Sequence, residues 1–408
     1  MASIRHRFGS FRRTLPTGVG FTLTVLLTAL PAAAQSTREE AIAQLEAEKA
    51  KQLSPPVPSP AERVIIGLKE YFIEQPGGFF PTFDSVYPGG GFTLGGGYRR
   101  FYGDRSLWAV TGLYSLKSYK RVEALTLSPD LANGRLSLGA RVGWRDAPEV
   151  AFYGLGMDNT PDDRTNFRLK QTYVTGDAMF RPNGWTRLGG GVAYEDYSLE
   201  SGRGTKPSIE TVFTPATAPG LGDSPAFVHS QLTAAIDWRT SPGYTRTGGY
   251  YGVTLHDYAD TDDVYSFDRL QADVIQHLPI LRETWVISLR GRVETTLDDE
   301  DIVPYFLLPS LGSGSTLRAY PSWRFRDRHS LLMSAEWRWI PNRLGLDMAI
   351  FYDAGKVAPE RSDLDFDGLK SNVGIGIRFH TLVATPLRIE MARGSEGWNL
   401  VFSGSHAF

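Results

Sequence analysis

Hydrophobic and polar residues alternate with a period of two near the C-terminus of the chain, in segments 373–380, 387–391 and 398–408. In each segment, large apolar side chains occupy alternate positions, and most positions between them hold charged, polar or small residues. A period of two places successive side chains on opposite faces of a β-strand. The pattern therefore predicts strands with one apolar face and one polar face.

Strands of this kind fit two classes of fold. In an outer-membrane β-barrel the apolar face contacts lipid and the polar face lines a watery lumen. In a soluble β-sandwich the apolar face is buried against a second sheet. We favour the barrel, because charged residues alternate with large aliphatic residues in segment 387–391, as expected for a wall between lipid and water.

The same alternation recurs along most of the chain, and turn residues separate the segments. Fifteen strands are predicted, at 90–101, 106–117, 119–128, 134–147, 166–181, 185–199, 226–240, 246–258, 263–277, 283–297, 328–340, 343–357, 370–380, 384–394 and 398–408. Single-chain bacterial barrels prefer an even number of strands, so a sixteenth is expected within 63–86, at 64–66 or 79–83. The sequence thus predicts an all-β fold, a transmembrane antiparallel barrel of sixteen strands that occupies residues 61–408.

Connection lengths predict how the barrel is oriented. With the C-terminal Phe408 on the periplasmic side, short turns at 181–185, 340–343 and 381–384 fall on that side. The long connections 148–165, 200–225 and 298–327 fall outside. Short periplasmic turns and long external loops are the asymmetry expected of outer-membrane barrels.

The N-terminal segment has the composition of a secretory signal peptide, predicted at 1–34. Arginines 5, 7, 12 and 13 form a basic start, residues 18–30 an apolar stretch, and residues 32–34 a small-residue cleavage site. No other apolar run approaches the about 20 residues that a transmembrane helix requires. Export combined with strand alternation predicts the outer membrane of a Gram-negative bacterium.

A periplasmic segment at 35–60 is predicted between the signal peptide and the barrel. Residues 36–53 are helix-prone with a thin apolar stripe, and the Pro-rich residues 54–60 form a stiff linker. A partly ordered helix is the simplest interpretation. A plug, or a helix that binds a periplasmic partner through 36–53, stays open as an alternative.

Net charge and cysteine content exclude some classes of binding partner and of modification. After removal of 1–34, 39 basic residues face 45 acidic ones, and this net charge of about −6 does not favour nucleic acid. The chain has no cysteine, which excludes disulfides and a lipidated cysteine. The expected partners are outer-membrane lipid and lipopolysaccharide, together with the assembly machinery that recognises the C-terminal strand.

Two linked motifs indicate a family. The segment Leu317-Arg318-Ala319-Tyr320 lies in a long predicted external loop, and Phe351, Asp353 and Gly355 lie on a downstream strand. Together they resemble the outer-membrane assembly-factor superfamily, the bacterial surface-antigen barrels of BamA and TamA type. In that family a loop with a Val/Ile-Arg-Gly-Phe/Tyr motif folds into the lumen, and its arginine pairs with the acid of a Phe-x-Asp-x-Gly motif.

The resemblance implies roles for particular residues. Arg318 would pair with Asp353, and Glu336 stands where the family often has an acid. We expect Asp353 and Glu336 to face the lumen, because they alternate with aliphatic rows on their strands, and Arg318 on the infolded loop to meet Asp353 there as a structural latch. Ala319 replaces the glycine of the motif, so a positive φ there would be strained.

The resemblance also implies a function, with open alternatives. The chain resembles a member that lacks polypeptide-transport-associated domains. The first hypothesis is transport or insertion of protein or lipid at the outer membrane, through opening of the seam between the first and last strands. Phe402, Gly404 and Phe408 mark that last strand, where small residues weaken the packing. The alternative is a passive pore or structural barrel without insertase activity.

No catalytic, cofactor or metal site is predicted. Segment 363–368 resembles the start of a calcium loop, but Gly374 stands at the twelfth position where an acid is required. His229, His256 and His380 have no evident serine partner in the sequence, so an enzyme is the least favoured hypothesis.

Overall fold

The computed structural model describes residues 77–103, 105–281, 283–298, 302–341, 345–381 and 384–404. The predicted signal peptide (1–34), the segment 35–60, the strand candidate 64–66 and Phe408 lie outside the described residues. Within the described ranges, no α-helix has the length and hydropathy needed to cross a membrane.

The fold is a sixteen-stranded antiparallel sheet in which each strand pairs with its neighbour in chain order. Its strands are β1 Gly78–Thr82, β2 Thr93–Tyr102, β3 Ser106–Ser115, β4 Lys120–Asp130, β5 Leu136–Phe152, β6 Thr165–Phe180, β7 Thr186–Ser201, β8 Ala226–Asp237, β9 Gly248–Asp260, β10 Phe267–Ile280, β11 Trp285–Thr296, β14 His329–Trp339, β15 Leu346–Ala358, β16 Lys370–Phe379, β17 Leu387–Gly394 and β18 Gly397–Ser403. A separate two-stranded ladder, β12 Ser310–Leu311 and β13 Phe325–Arg326, lies between β11 and β14. Short helical turns occur at Leu131–Gly134, Pro161–Asp163, Ile209–Thr211 and Arg361–Asp363.

The all-β barrel prediction is confirmed. All fifteen predicted strands are present, and the expected sixteenth is β1, at the 79–83 candidate. One long connection is shorter than predicted, because β5 continues beyond Pro148 to Phe152. A β-bulge between Ala147 and Val150 leaves Pro148 outside the hydrogen-bonded ladder, so a residue without an N–H does not end the strand.

The two faces of the strands have different environments. On β15, the inward side chains of Asp347 and Asp353 are each 0% exposed, whereas the outward side chain of Ile350 is 52% exposed. Trp337 and Trp339 on β14 are outward as well. The apolar row thus faces away from the lumen, as the alternation predicts.

The two ends of the barrel differ in their connections. One end, here called the short-turn end, carries the short connections, including the predicted turns at 181–185, 340–343 and 381–384. The opposite, long-loop end carries 153–164, 202–225 and 297–328. Residues 302–328 fold inward as the infolded loop, in which Arg318 and Tyr320 are almost fully buried.

The described parts of the two sheet edges approach each other without pairing. The hydrogen-bonded order runs from β1 to β18, and within the described residues no ladder joins these two strands. A methyl group built on Gly404, just after β18, would lie 3.7 Å from the carbonyl oxygen of Phe83, just after β1. The last strand therefore returns to the first, and among the described residues no backbone hydrogen bond joins them, in contrast to the other strand boundaries.

Candidate functional site

The guanidinium of Arg318 is the centre of a buried charge cluster inside the barrel. Its Nε and Nη2 each donate a 2.8 Å hydrogen bond to Asp353, a bidentate arrangement. Its Nη1 donates to Glu336 and to Glu390, each at 3.2 Å. All four side chains are at most 2% exposed. One loop residue is thus bound to strands β14, β15 and β17.

A second arginine links the two glutamates of the cluster. Arg378 on β16 donates to both oxygens of Glu336 at 2.5 Å and to Glu390 at 2.7 Å. Arg388 on β17 is 3.3 Å from Glu390. Buried carboxylates need such partners, because an uncompensated charge in a low-dielectric interior is costly. The wall supplies cations for two of the acids, whereas Asp353 depends on Arg318.

The charges around Arg318 favour the protonated, positively charged form of its guanidinium. Burial alone would lower its pKa, but the hydrogen bonds that it donates to Asp353 and the attraction of the three carboxylates outweigh burial and raise the pKa of Arg318 above its ordinary value. The guanidinium also lies 3.4 Å from the ring centroid of Phe351, within the range of a cation–π contact. The cluster therefore holds the loop by charge, by hydrogen-bond geometry and by stacking.

The backbone around Arg318 is bound as well. The N–H of Ala319 donates to Asn372 on β16 at 3.2 Å, and Asn372 in turn donates to Asp353 at 2.8 Å. Asn399 on β18 donates to the carbonyl oxygen of Arg318 at 2.8 Å. Ala319 does not have a positive φ, so alanine in place of the family's glycine causes no strain here.

Tyr320 and Gly355 pack the loop against the wall. The Tyr320 hydroxyl donates to the carbonyl oxygen of Ser371 at 3.2 Å and lies 3.0 Å from the hydroxyl of Ser395. A methyl group on Gly394 would come within 2.9 Å of the Tyr320 ring, and one on Gly355 within 2.9 Å of the side chain of Leu311 in the loop. Glycine at these wall positions lets the loop approach closely.

The infolded loop contacts chain segments beside both edges of the sheet. Its Trp323 Nε1 donates to the carbonyl oxygen of Pro88, between β1 and β2, at 2.9 Å. Arg324, which is 1% exposed, pairs with Glu396 in the hairpin between β17 and β18 at 2.8 Å. With the bond from Asn399, the loop thus contacts chain segments next to both edge strands.

Aromatic residues of the same loop fill the long-loop end of the lumen. The ring of Tyr305 contacts Phe167 and Phe152 with centroids 4.9 and 5.4 Å apart, and Phe306 contacts Tyr197 at 5.0 Å. Most of the rings are buried in one hydrophobic cluster with residues of β5 to β10. The loop therefore plugs one end of the lumen and also carries the charge cluster.

We expect Gly312→Ala to destabilise the infolded loop by about 2 kcal/mol, the typical cost of a left-handed conformation for a residue with a Cβ. Gly312 has a φ of 103°, and an added methyl group would overlap the carbonyl oxygen of Pro321. Urea unfolding in lipid vesicles measures the change. Gly112→Ala is the matched control, because no atom lies within 4 Å of its added methyl. Equal stability of the two variants would contradict the prediction.

The sequence predicts some of the residues around the infolded loop and does not predict others. The structure brings the six predicted residues Arg318, Tyr320, Glu336, Phe351, Asp353 and Gly355 to one region of the lumen. It adds Glu390, Arg378, Asn372, Asn399 and Arg324. Glu390 and Arg378 lie at polar positions of strands with alternating polarity, so the sequence predicts that their side chains point inward. Their convergence on Arg318 depends on the strand register.

The predicted seam residues are placed only in part. Phe402 is outward and 62% exposed, as expected for a side chain facing lipid. Gly404 lies near the first strand, as described above. Phe408 lies outside the described residues.

The histidines form contacts of other kinds. His229 Nε2 and His256 Nδ1 are 3.0 Å apart, and His380 Nε2 is 2.8 Å from Asp347. Among the described side chains, no group of three or more His, Asp or Glu residues is arranged to hold a metal ion.

The solved structures similar to this chain include two outer-membrane proteins. BamA from Haemophilus ducreyi lacking POTRA domains 1–3 matches with a TM-score of 0.57 and 14% sequence identity, over 80% of this chain and 69% of that chain. CdiB from Acinetobacter baumannii matches with a TM-score of 0.51 and 11% identity, over 79% of this chain and 58% of that chain, less than two thirds of it. No protein-family model and no curated protein sequence matches the chain.

These similarities establish the fold. The chain has a sixteen-stranded barrel of the BamA type, and the predicted resemblance to the assembly-factor barrels is confirmed at that level.

Proposed function

We propose that this protein is an outer-membrane barrel that transports or inserts protein or lipid, and that the infolded loop holds its seam closed. The observation that carries the proposal is the position of the loop, which contacts chain segments beside both edges of a sheet whose described edge strands are unpaired. Opening of the seam would expose two strand edges and the lumen at once. Release of the loop is the step that would permit it.

The geometry of the seam supports this proposal. A strand edge presents unpaired N–H and C=O groups, which in lipid must find partners. β1 has only 5 residues, against 10 in β2, so the first edge offers few backbone bonds of its own. The loop supplies side-chain bonds from inside the barrel instead. A seam held by a few side chains opens at a lower cost than a full ladder.

We also propose that the barrel acts without catalysis. A serine–histidine contact does exist, between His277 Nδ1 and Ser288 Oγ at 2.8 Å, but both side chains are buried in the wall, with exposures of 4% and 1%. A substrate in the lumen or in lipid does not reach this pair. The buried carboxylates of the charge cluster hold arginines and serve as structural anchors.

A disulfide between the loop and β18 tests the proposed function. A Cβ built on Gly314 lies 3.8 Å from the Cβ of Val401, the mean spacing of disulfide-linked residues, about 3.8 Å. The chain has no cysteine of its own. We expect oxidised Gly314→Cys/Val401→Cys to fail in a deletion strain, measured by the protein and lipid composition of the outer membrane. Reductant, or either single cysteine variant, should restore function.

The alternative function predicts other results. If the barrel is a passive pore or a structural element, the oxidised double variant restores the deletion strain as fully as the wild type. If deletion leaves the protein and lipid composition of the outer membrane unchanged, transport and insertion are both contradicted.

A further inference from the structure

A second segment enters the lumen at the opposite end from the aromatic plug. The connection between β8 and β9 spans residues 238–247 and contains a turn, here called the strap (241–246). Within the strap, the N–H of Tyr244 donates to the carbonyl oxygen of Ser241 at 3.0 Å, and the Thr245 hydroxyl donates to the same carbonyl at 2.8 Å. The strap is thus an ordered turn at the short-turn end.

Tyr244 anchors the strap to the wall. Its side chain is 3% exposed, and its hydroxyl lies 3.1 Å from both carboxylate oxygens of Asp347 on β15. Its ring stacks on His380 with centroids 3.8 Å apart and an interplanar angle of 6°. His380 Nε2 in turn lies 2.8 Å from Asp347. One tyrosine therefore satisfies a buried carboxylate and covers an imidazole.

The strap backbone is bound at two further points. Arg338 on β14 donates to the carbonyl oxygen of Thr245, and the Thr385 hydroxyl donates to the carbonyl oxygen of Gly243 at 3.2 Å. The Tyr244 ring also packs in a small buried cluster with residues of β11 and the end of β14. All of these contacts are to wall elements that do not adjoin the strap in the sheet.

The strap therefore crosses part of the lumen. In the sheet, β9 is separated from β15 by β10, β11 and β14, four strand spacings or about 19 Å along the wall. A connection between two adjacent strands can join them without extending about 19 Å across the lumen. The contacts are specific and polar, and they lie at the end of the lumen that the aromatic plug does not fill.

We propose that the strap is a second closure of the lumen, held by Tyr244 on Asp347 and His380, in series with the infolded loop. Tyr244, Asp347 and His380 are not part of the charge cluster, and the link between the two regions is Arg338, which donates to Thr245 and lies 3.9 Å from Glu336. Displacing one closure leaves the other in place. Conduction through the barrel then requires that both move.

Planar-bilayer conductance of the purified full barrel tests this inference in two backgrounds, wild type and Arg318→Ala. We expect Tyr244→Ala to raise the open probability about tenfold in the Arg318→Ala background and little in the wild type, because two closures act in series. Tyr244→Phe keeps the stacking on His380 but removes the bond to Asp347, so its effect should be intermediate. Tyr251→Phe is the matched control, because that hydroxyl donates to Gln276 on the outward face.

A covalent tether separates gating from damage to the fold. Gly243→Cys/Thr385→Cys in the Arg318→Ala background should lower conductance on oxidation and recover with reductant. Equal conductance of the oxidised and reduced forms, or of Tyr244→Ala and Tyr251→Phe in both backgrounds, would overturn the second closure. If oxidation of the tether blocks conductance but Tyr244→Ala conducts no more in the Arg318→Ala background than in the wild type, because it already opens the wild-type barrel, the strap stands and the proposed latch fails.

Discussion

Replacing Arg318 by alanine is expected to lower the free energy of unfolding of the barrel by about 3–5 kcal/mol, the typical cost of removing one partner of a buried ion pair. The expected loss arises because Asp353 would lose the cation that it pairs with. Glu336 and Glu390 keep their bonds to Arg378, whereas Asp353 keeps only the amide of Asn372. An uncompensated carboxylate would then stay buried in the wall.

Urea unfolding in lipid vesicles measures this loss. Arg318→Lys should lose less, because an ammonium keeps the charge but does not make the bidentate bond to Asp353. Arg393→Ala is the control, since Arg393 is an exposed arginine that contacts the Trp398 ring at 5.5 Å, and it should stay within about 0.5 kcal/mol of the wild type. If Arg318→Ala is as stable as this control, Arg318 does not hold the loop.

Gly374→Ala is expected to cost about 3 kcal/mol and to release the loop without changing any charge. The added methyl would overlap the Phe351 ring and come within 2.6 Å of the carbonyl oxygen of Met391. Neither atom is the end of a flexible side chain, so the ring must move. Because Arg318 stacks on that ring at 3.4 Å, the guanidinium loses its position as well.

The effect of Gly374→Ala is measured by unfolding and by planar-bilayer conductance. Phe351→Leu in the same chain should restore part of the stability by giving the methyl room. Gly176→Ala is the matched control on β6, where no atom lies within 4 Å of the added methyl. A Gly374→Ala barrel with the stability and conductance of this control would contradict the proposed packing of the loop.

The fold was predictable because one physical property repeats along the chain. Each strand separates lipid from the lumen, so the period of two is present in every wall segment, and β14 to β18 match the predicted ranges within a few residues. The boundary of β5 was less predictable, because a proline usually ends a strand and the bulge that accommodates Pro148 has no sequence signature.

The site was predictable only where residues lie in linked motifs. Arg318 and Asp353 belong to a resemblance that already pairs them, and the structure places them in bidentate contact. Glu390 is 72 residues from Arg318 in sequence, and its contact with the loop depends on the register of β16 and β17. Register follows from pairing across the whole sheet, and it is not encoded locally.

The strap illustrates the same limit at the other end of the barrel. Its sequence, Ser-Pro-Gly-Tyr-Thr-Arg, reads as an ordinary turn between two strands. Tyr244 reaches Asp347, 103 residues away in sequence, because curvature of the sheet brings the two sides of the lumen together. Turn chemistry predicts that the chain reverses, but it does not predict where the turn packs.

The most direct test of the latch is the distance across the seam. Nitroxide labels at Phe79→Cys on β1 and Leu400→Cys on β18 are outward, at positions that are 89% and 55% exposed. In double electron–electron resonance of the barrel in lipid, we expect a single narrow distance distribution for the otherwise wild-type chain. Adding Arg318→Ala should produce a second population, longer by about one strand spacing of 4.8 Å or more. Identical distributions with and without Arg318, in a barrel that remains folded, would contradict the proposal that the infolded loop holds the seam closed.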